Sequence, residues 1–249
     1  MRAPSVAFAV RRGLRRRLHG SRLRLTSLPI VAHAGIQRSG TNYLNHILRD
    51  SDLFVANAVD PERDHPSHKH FRWQDNKNSI VMDRAFMNDC AAGSIFEVNR
   101  IAGFPLETKH VVVFKKPENW LQSIYRWGLT HDWVSGEEDF LRDPQLAAAW
   151  LGEWDEYHKK WGDLESVSPE MVLIVCYEDL LQDSVKGVSS ILEFLVGESS
   201  HRQSTGDVDK VPHSRRRAHE DRREPLVASE VLGLIQRVVS WDWERRCWS

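Results

Sequence analysis

Gly35-Ile36-Gln37-Arg38-Ser39-Gly40-Thr41-Asn42-Tyr43-Leu44 gathers two glycines, a cation and two aliphatic hydroxyls into ten residues. It follows the apolar stretch Pro29 to Ala34 and leads into Tyr43 to Arg49, which reads as a helix. A strand running through a glycine-bearing loop into a helix gathers backbone N–H groups and the positive helix end around one point. The chemistry on offer is anion binding, suited to a phosphate. The simpler alternative is an ordinary strand–turn–helix in which Gly40 only tightens the turn.

The glycine spacing resembles the nucleotide-binding P-loop, which ends in Gly-Lys-Ser/Thr. Here Thr41 occupies the lysine position, so the cation that reaches the β- and γ-phosphates is missing. The buried strand Val111 to Phe114 leads into Lys115 and Lys116, where a magnesium-binding acid would be needed. The loop therefore reads as built for a phosphate ligand and poorly equipped for ATP hydrolysis.

These residues need a scaffold that ends strands near one another. Pro29 to Ala34, His110 to Phe114 and Met171 to Cys176 read as short buried strands. Leu53 to Val59, Ile80 to Met82 and Ile95 to Val98 are further candidate strands. Helices are expected over Arg84 to Ala91, from Pro117 to about Trp127, over Glu137 to Gly162, over Ser184 to Val196 and from Arg222 to Trp248. Pro117 suits a first helical position. Trp150, Trp154 and Trp161 fall near one face of the long helix and read as core. Asp60 to Asn78 and His201 to Pro212 read as loops. The alternation predicts a three-layer α/β domain with a central, mainly parallel sheet over residues 29–249, preceded by a basic extension over residues 1–28.

Three segments together resemble the PAPS-dependent sulfotransferases, whose donor is 3'-phosphoadenosine-5'-phosphosulfate (PAPS). Arg38-Ser39-Gly40-Thr41 resembles their 5'-phosphosulfate loop. Val111 to Pro117, continuing to Ser123, resembles their 3'-phosphate strand, with Lys115 where that family carries arginine and Ser123 eight residues on. Cys176-Tyr177-Glu178-Asp179-Leu180 resembles their Tyr-Glu-Asp-Leu signature, whose tyrosine borders the adenine. The resemblance spans about Ile30 to Val196 and implies the sulfotransferase variant of the P-loop-like fold, with no metal.

The resemblance also implies roles. Amides of Ser39, Gly40, Thr41 and Asn42 would hold the 5'-phosphate, and Arg38 would face the bridging oxygen as a fixed cation. Lys115 and Ser123 would hold the 3'-phosphate; lysine supplies the charge without arginine's bidentate fork. Lys116 reads as solvated. Tyr43 either meets the adenine or is a buried helix tyrosine, and Tyr177 borders the base. A base must take the acceptor's proton. Within Ser67 to Phe71, His70 is the first candidate and His68 the second, with Asp64, Asp83 and Glu97 as alternatives. Arg215, Arg216 and Arg217 either cover the 3'-phosphate or form a solvated charge run. The implied activity is sulfuryl transfer to a hydroxyl or amine of a carbohydrate, lipid or small molecule.

Composition sets the remaining bounds. Of 249 residues 41% are hydrophobic and 28% charged, the profile of a globular protein. No apolar run approaches the ~20 residues that span a bilayer. Ten arginines precede Asp50, leaving 24 basic against 35 acidic residues in the remainder. In that basic start, Val10, Leu14 and Leu18 recur at helical spacing, suited to an anionic membrane surface, an organellar presequence or a solvated extension. Cys90, Cys176 and Cys247 show no paired or metal-ligand spacing and read as reduced thiols, in keeping with a cytoplasmic setting. Two other functions compete: a P-loop kinase or NTPase, and a nucleic-acid-binding protein using the arginine-rich start. Thr41 speaks against the first, and the ordered motifs are unexplained by the second. A catalytically inactive relative that only binds nucleotide is a further alternative.

Overall fold

The computed structural model describes residues 14, 18–58, 65–73, 92–131, 144–197 and 229–248. The sheet is built from β1 (Ile30–Ala34), β2 (Phe54–Val55), β3 (Lys109–Phe114) and β4 (Val172–Cys176). All neighbours are parallel, in the order β2-β1-β3-β4. Between them run α1 (Thr41–Arg49), α2 (Ile95–Ala102), α3 (Pro117–Thr130) and α4 (Pro144–Val167). After β4 come α5 (Tyr177–Gln182), α6 (Ser184–Val196) and α7 (Ser229–Val238).

The chain leaves β1 towards β2 on one side and returns to β3 on the other. This makes the gap beyond β1 and β3 a switch point, where open parallel sheets hold ligands at their carboxyl ends. Alternate residues of the strands feed two cores. Val31, Val111 and Val113 pack with Leu44, Leu48, Leu180 and Ile191, from α1, α5 and α6. On the opposite face, Val112, Phe114 and Ile174 pack with Trp120, Trp150, Trp154, Trp161 and Leu234. Helices thus cover both faces, giving three layers. The tryptophans of α4 belong to this core, as their spacing predicts.

Three expectations need correction. Ile95 to Val98 is the first turn of α2, not a strand. Ser94 accepts from the Glu97 amide at 3.3 Å while the Glu97 side chain accepts from Gly93 N at 2.9 Å, a reciprocal cap that favours helix over strand. The expected strand over Leu53 to Val59 is only two residues long. A turn follows, in which Asn57 Nδ2 donates to the His33 carbonyl at 2.7 Å. The expected closing helix spans only Ser229–Val238 within the described part. The Asp155 carboxylate accepts from the amides of Ser240 and Trp241 at 2.9 and 2.7 Å and draws the chain out of the helix. A 3-10 turn at Glu244–Arg246 follows. The expected strand at Ile80 to Met82, the helix at Arg84 to Ala91 and the loop at His201 to Pro212 lie outside the described residues, as does most of the basic start; residues 18–25 are helical. Among the described residues no helix is long and apolar enough to cross a membrane.

Two core histidines make the fold acid-sensitive. His110 Nε2 donates to Asn99 Oδ1 at 2.6 Å, and His158 Nδ1 donates to the Trp154 carbonyl at 2.6 Å. Burial pushes each pKa down to about 3. Unfolded, each would titrate near 6.5, so between about pH 6.5 and 3 the unfolded chain binds protons that the folded chain refuses. Stability is therefore full above that window and lost as pH falls, by ~1.4 kcal/mol per histidine per pH unit. Urea unfolding at pH 7.5 and 5.0 should differ by ~4 kcal/mol, and His158→Phe should roughly halve that difference. Equal stability at the two pH values would contradict this account.

Candidate functional site

The loop after β1 is held from several sides. Gly35 N donates to the Lys69 carbonyl at 3.1 Å, and Ser39 N donates to Ile36 O at 3.1 Å. Trp120 Nε1, from α3, donates to Gln37 O at 2.7 Å. Ile36 and Ser39 are fully buried, whereas Arg38 is exposed. Among the described residues Arg38 is the only non-glycine with positive φ, at 68°.

Both glycines answer to sterics. Gly40 has φ 102°, and a Cβ there would run into the Tyr177 ring. A Cβ on Gly35 would lie 2.6 Å from the Val113 carbonyl oxygen. Gly40 also caps α1 without any side-chain hydrogen bond, and the first turn of α1 carries no acid. The amides of Thr41 and Asn42 precede that of Tyr43, which is bonded to Gly40 O at 2.9 Å, and so lie at the positive helix end. Such a cradle fits a tetrahedral anion.

The second element sits at the end of β3. Lys115 is 6% exposed, and its Nζ donates to Ser123 Oγ at 3.1 Å. The spacing of eight residues thus brings the two groups together, because Pro117 starts α3 at once and Ser123 lies on its second turn. Lys115 Nζ also stands 4.5 Å from the Tyr177 ring centroid. Tyr177 starts α5 directly after β4 and lies between Gly40 and Lys115, so its ring joins the two anion-suited elements. Tyr43 meets it edge-on with centroids 5.9 Å apart, and its hydroxyl donates to Leu180 O at 3.4 Å. Lys116 is half-buried and its amide donates to Glu178 Oε2 at 3.2 Å.

The histidine segment folds against the loop. His70 Nδ1 donates to the Gly35 carbonyl at 2.6 Å, which fixes the neutral tautomer with its proton on Nδ1. Desolvation holds the His70 pKa well below its ordinary value, opposed by that hydrogen bond and reinforced by His68, Lys69 and Arg72. His68 is buried beside it, with ring centroids 5.3 Å apart. Glu97 is engaged in capping α2 and forms an ion pair with Arg100 at 3.7 Å. Asp64, Asp83 and Arg215 to Arg217 lie outside the described residues.

Two further groups stand at the site beyond those expected from the sequence. Lys69, buried between the histidines, donates from Nζ to Asn42 Oδ1 at 2.8 Å and so adds a cation beside the α1 N-terminus. Arg72 donates to Gln37 Oε1 at 3.1 Å and forms a buried ion pair with Glu153 of α4. Only a histidine-rich stretch marked the first of these, and nothing local marks the second.

The fold and site together define an α/β protein with a parallel sheet and an anion-suited cradle at its switch point. Comparison with protein-family models, with curated proteins and with solved structures gives no match.

Proposed function

We propose that the chain is a PAPS-dependent sulfotransferase of the P-loop-like fold, acting on a hydroxyl or amine acceptor. One observation carries this reading: the segments after β1, β3 and β4 meet at adjacent strand ends, with Lys115 and Ser123 at 3.1 Å and Tyr177 between them and Gly40. Two anion-suited elements on either side of Tyr177 suit a nucleotide with phosphate at both the 5' and 3' positions. The glycine cradle fits the first phosphate, and a cation with a hydroxyl fits the second.

In this reading the donor supplies an activated sulfuryl group. Amides of Gly40 to Asn42 bind the 5' end, the expected Ser39 amide being committed to Ile36 O, and Arg38 with Lys69 offsets negative charge that grows on the leaving oxygen. Lys115 and Ser123 hold the 3'-phosphate, and the partly exposed Tyr43 supplies aromatic surface for the base beside the buried Tyr177 ring. His70 is neutral at ordinary pH and holds its Nδ1 proton against Gly35. Its Nε2 therefore has the lone pair that takes the acceptor's proton.

The test is calorimetric binding of 3'-phosphoadenosine-5'-phosphate against AMP and ATP, without magnesium. The bisphosphate should bind with micromolar affinity and clear preference. Lys115→Met should weaken it by about 10- to 100-fold and Ser123→Ala by about 5-fold, the scale of charged and neutral hydrogen bonds. Equal or absent binding of all three would sink the reading, and magnesium-dependent binding of ATP would favour a kinase instead.

A further inference from the structure

Cys176 and Cys247 are 71 residues apart in sequence, yet their sulfurs approach to 3.1 Å. Cys176 ends β4 and is buried; Cys247 lies in the segment after α7 and is partly exposed. The two backbones are held together independently of the thiols. Trp248 N donates to Asp179 Oδ2 at 2.7 Å, and Lys186 Nζ sits 4.3 Å from the Trp248 ring centroid. Arg246 forms an ion pair with Glu165 of α4.

With Asp179 alongside, the same residues could be read as a metal site. Sulfur spacing decides against it. Two thiolates on one tetrahedral zinc stand ~3.8 Å apart, from Zn–S bonds of ~2.3 Å. The observed spacing is shorter, and one Asp179 oxygen is already committed to the Trp248 amide. Closing the pair to a disulfide needs a shift of only ~1 Å.

We propose that Cys176 and Cys247 are an oxidative modification site that closes to a disulfide and fastens the C-terminal segment to the end of β4. The co-reactant is a small-molecule disulfide. The more exposed Cys247 loses its proton and attacks one sulfur of that molecule, forming a mixed disulfide and releasing one thiol. Cys176 then loses its proton and attacks the Cys247 sulfur, releasing the second thiol. Two protein thiols are oxidised, and one small disulfide is reduced to two thiols. Burial raises both protein thiols' pKa values, helped by Glu178 for Cys176 and by Asp179 and Glu178 for Cys247, with Lys116 opposing at Cys247. Closure is therefore slow at neutral pH and quickens as pH rises.

The proposal does not rest on the nucleotide reading, and its test does not use nucleotide. The full chain is incubated with oxidised glutathione, digested without reduction and mapped by mass. A linked peptide pair holding Cys176 and Cys247, two hydrogens lighter than the separate peptides, is expected. The oxidised chain should melt about 10 °C higher than the reduced one, as for a long closed loop, and dithiothreitol should reverse the gain. Cys247→Ser should abolish both effects, whereas Cys90→Ser should leave them. A persistent glutathione adduct on Cys247, a link through Cys90, or stoichiometric zinc uptake by the reduced chain would overturn the proposal.

Discussion

Glu153→Leu should lower the unfolding free energy by about 3–5 kcal/mol, the cost of leaving a buried partner charge uncompensated. Arg72 and Glu153 form an ion pair whose side chains are each 3% exposed. Without the carboxylate, the guanidinium keeps Gln37 Oε1 at 3.1 Å and the face of Tyr157 at 5.4 Å. Neither carries a full negative charge, and water cannot reach the site without opening the core. In a chain of this size the loss corresponds to a melting point lower by roughly 10 °C. The damage should also reach the cradle. Gln37 is held by Arg72 through its side chain and by Trp120 through its carbonyl, so anion affinity should fall along with stability. The double variant Arg72→Met with Glu153→Leu removes both charges and should recover most of the lost stability. Urea unfolding of the two singles and the double closes the cycle. A cost below about 1 kcal/mol for Glu153→Leu would mean that the pair is solvated.

Arg38→Gly should separate stability from activity. A non-glycine residue at φ 68° carries roughly 1–2 kcal/mol of backbone strain, which glycine does not. Against that gain, glycine costs about 0.5–1 kcal/mol through the freer unfolded chain. The variant should thus be as stable as the parent or slightly more so. Arg38 is exposed, with its guanidinium 5.9 Å from the Trp127 ring centroid, so little packing is lost. Sulfuryl transfer, if the proposed reaction holds, should nevertheless drop by about 100- to 1,000-fold in kcat. Nucleotide binding should change much less, because Lys115 and Ser123 are untouched. A variant that keeps full turnover would remove Arg38 from the reaction. One that unfolds would show that the positive φ is stabilised by contacts that the exposed side chain makes.

Much of the scaffold is written locally. His110 to Phe114 carries three consecutive β-branched valines, in keeping with a β3 covered on both faces, and Ser184–Val196 shows a helix with the bounds read from its pattern. Ile95 to Val98 misleads because its three apolar residues suit either element, and the deciding signal is the cap formed by Ser94 and Glu97. The closing helix misleads for a different reason. Its early end is set by Asp155, a residue 85 positions away that captures the Ser240 amide.

The site divides in the same way. By itself the sequence determined the glycine-bearing strand–loop–helix and the alternation that predicts a parallel sheet, and the pairing of Lys115 with Ser123 was expected through the family resemblance. The loop and the Lys115–Ser123 pair rest on contacts within about ten residues, where backbone geometry dictates which side chains meet, whereas their delivery to neighbouring strand ends rests on the parallel pairing of β1, β3 and β4. The ring of Tyr177 against Gly40, Lys69 beside Asn42, the Arg72–Glu153 pair and the approach of Cys247 to Cys176 were decided only by tertiary structure. They join segments 27 to 137 residues apart. Which distant charges end up buried together depends on how the two helical layers close over the sheet, and no local period records it.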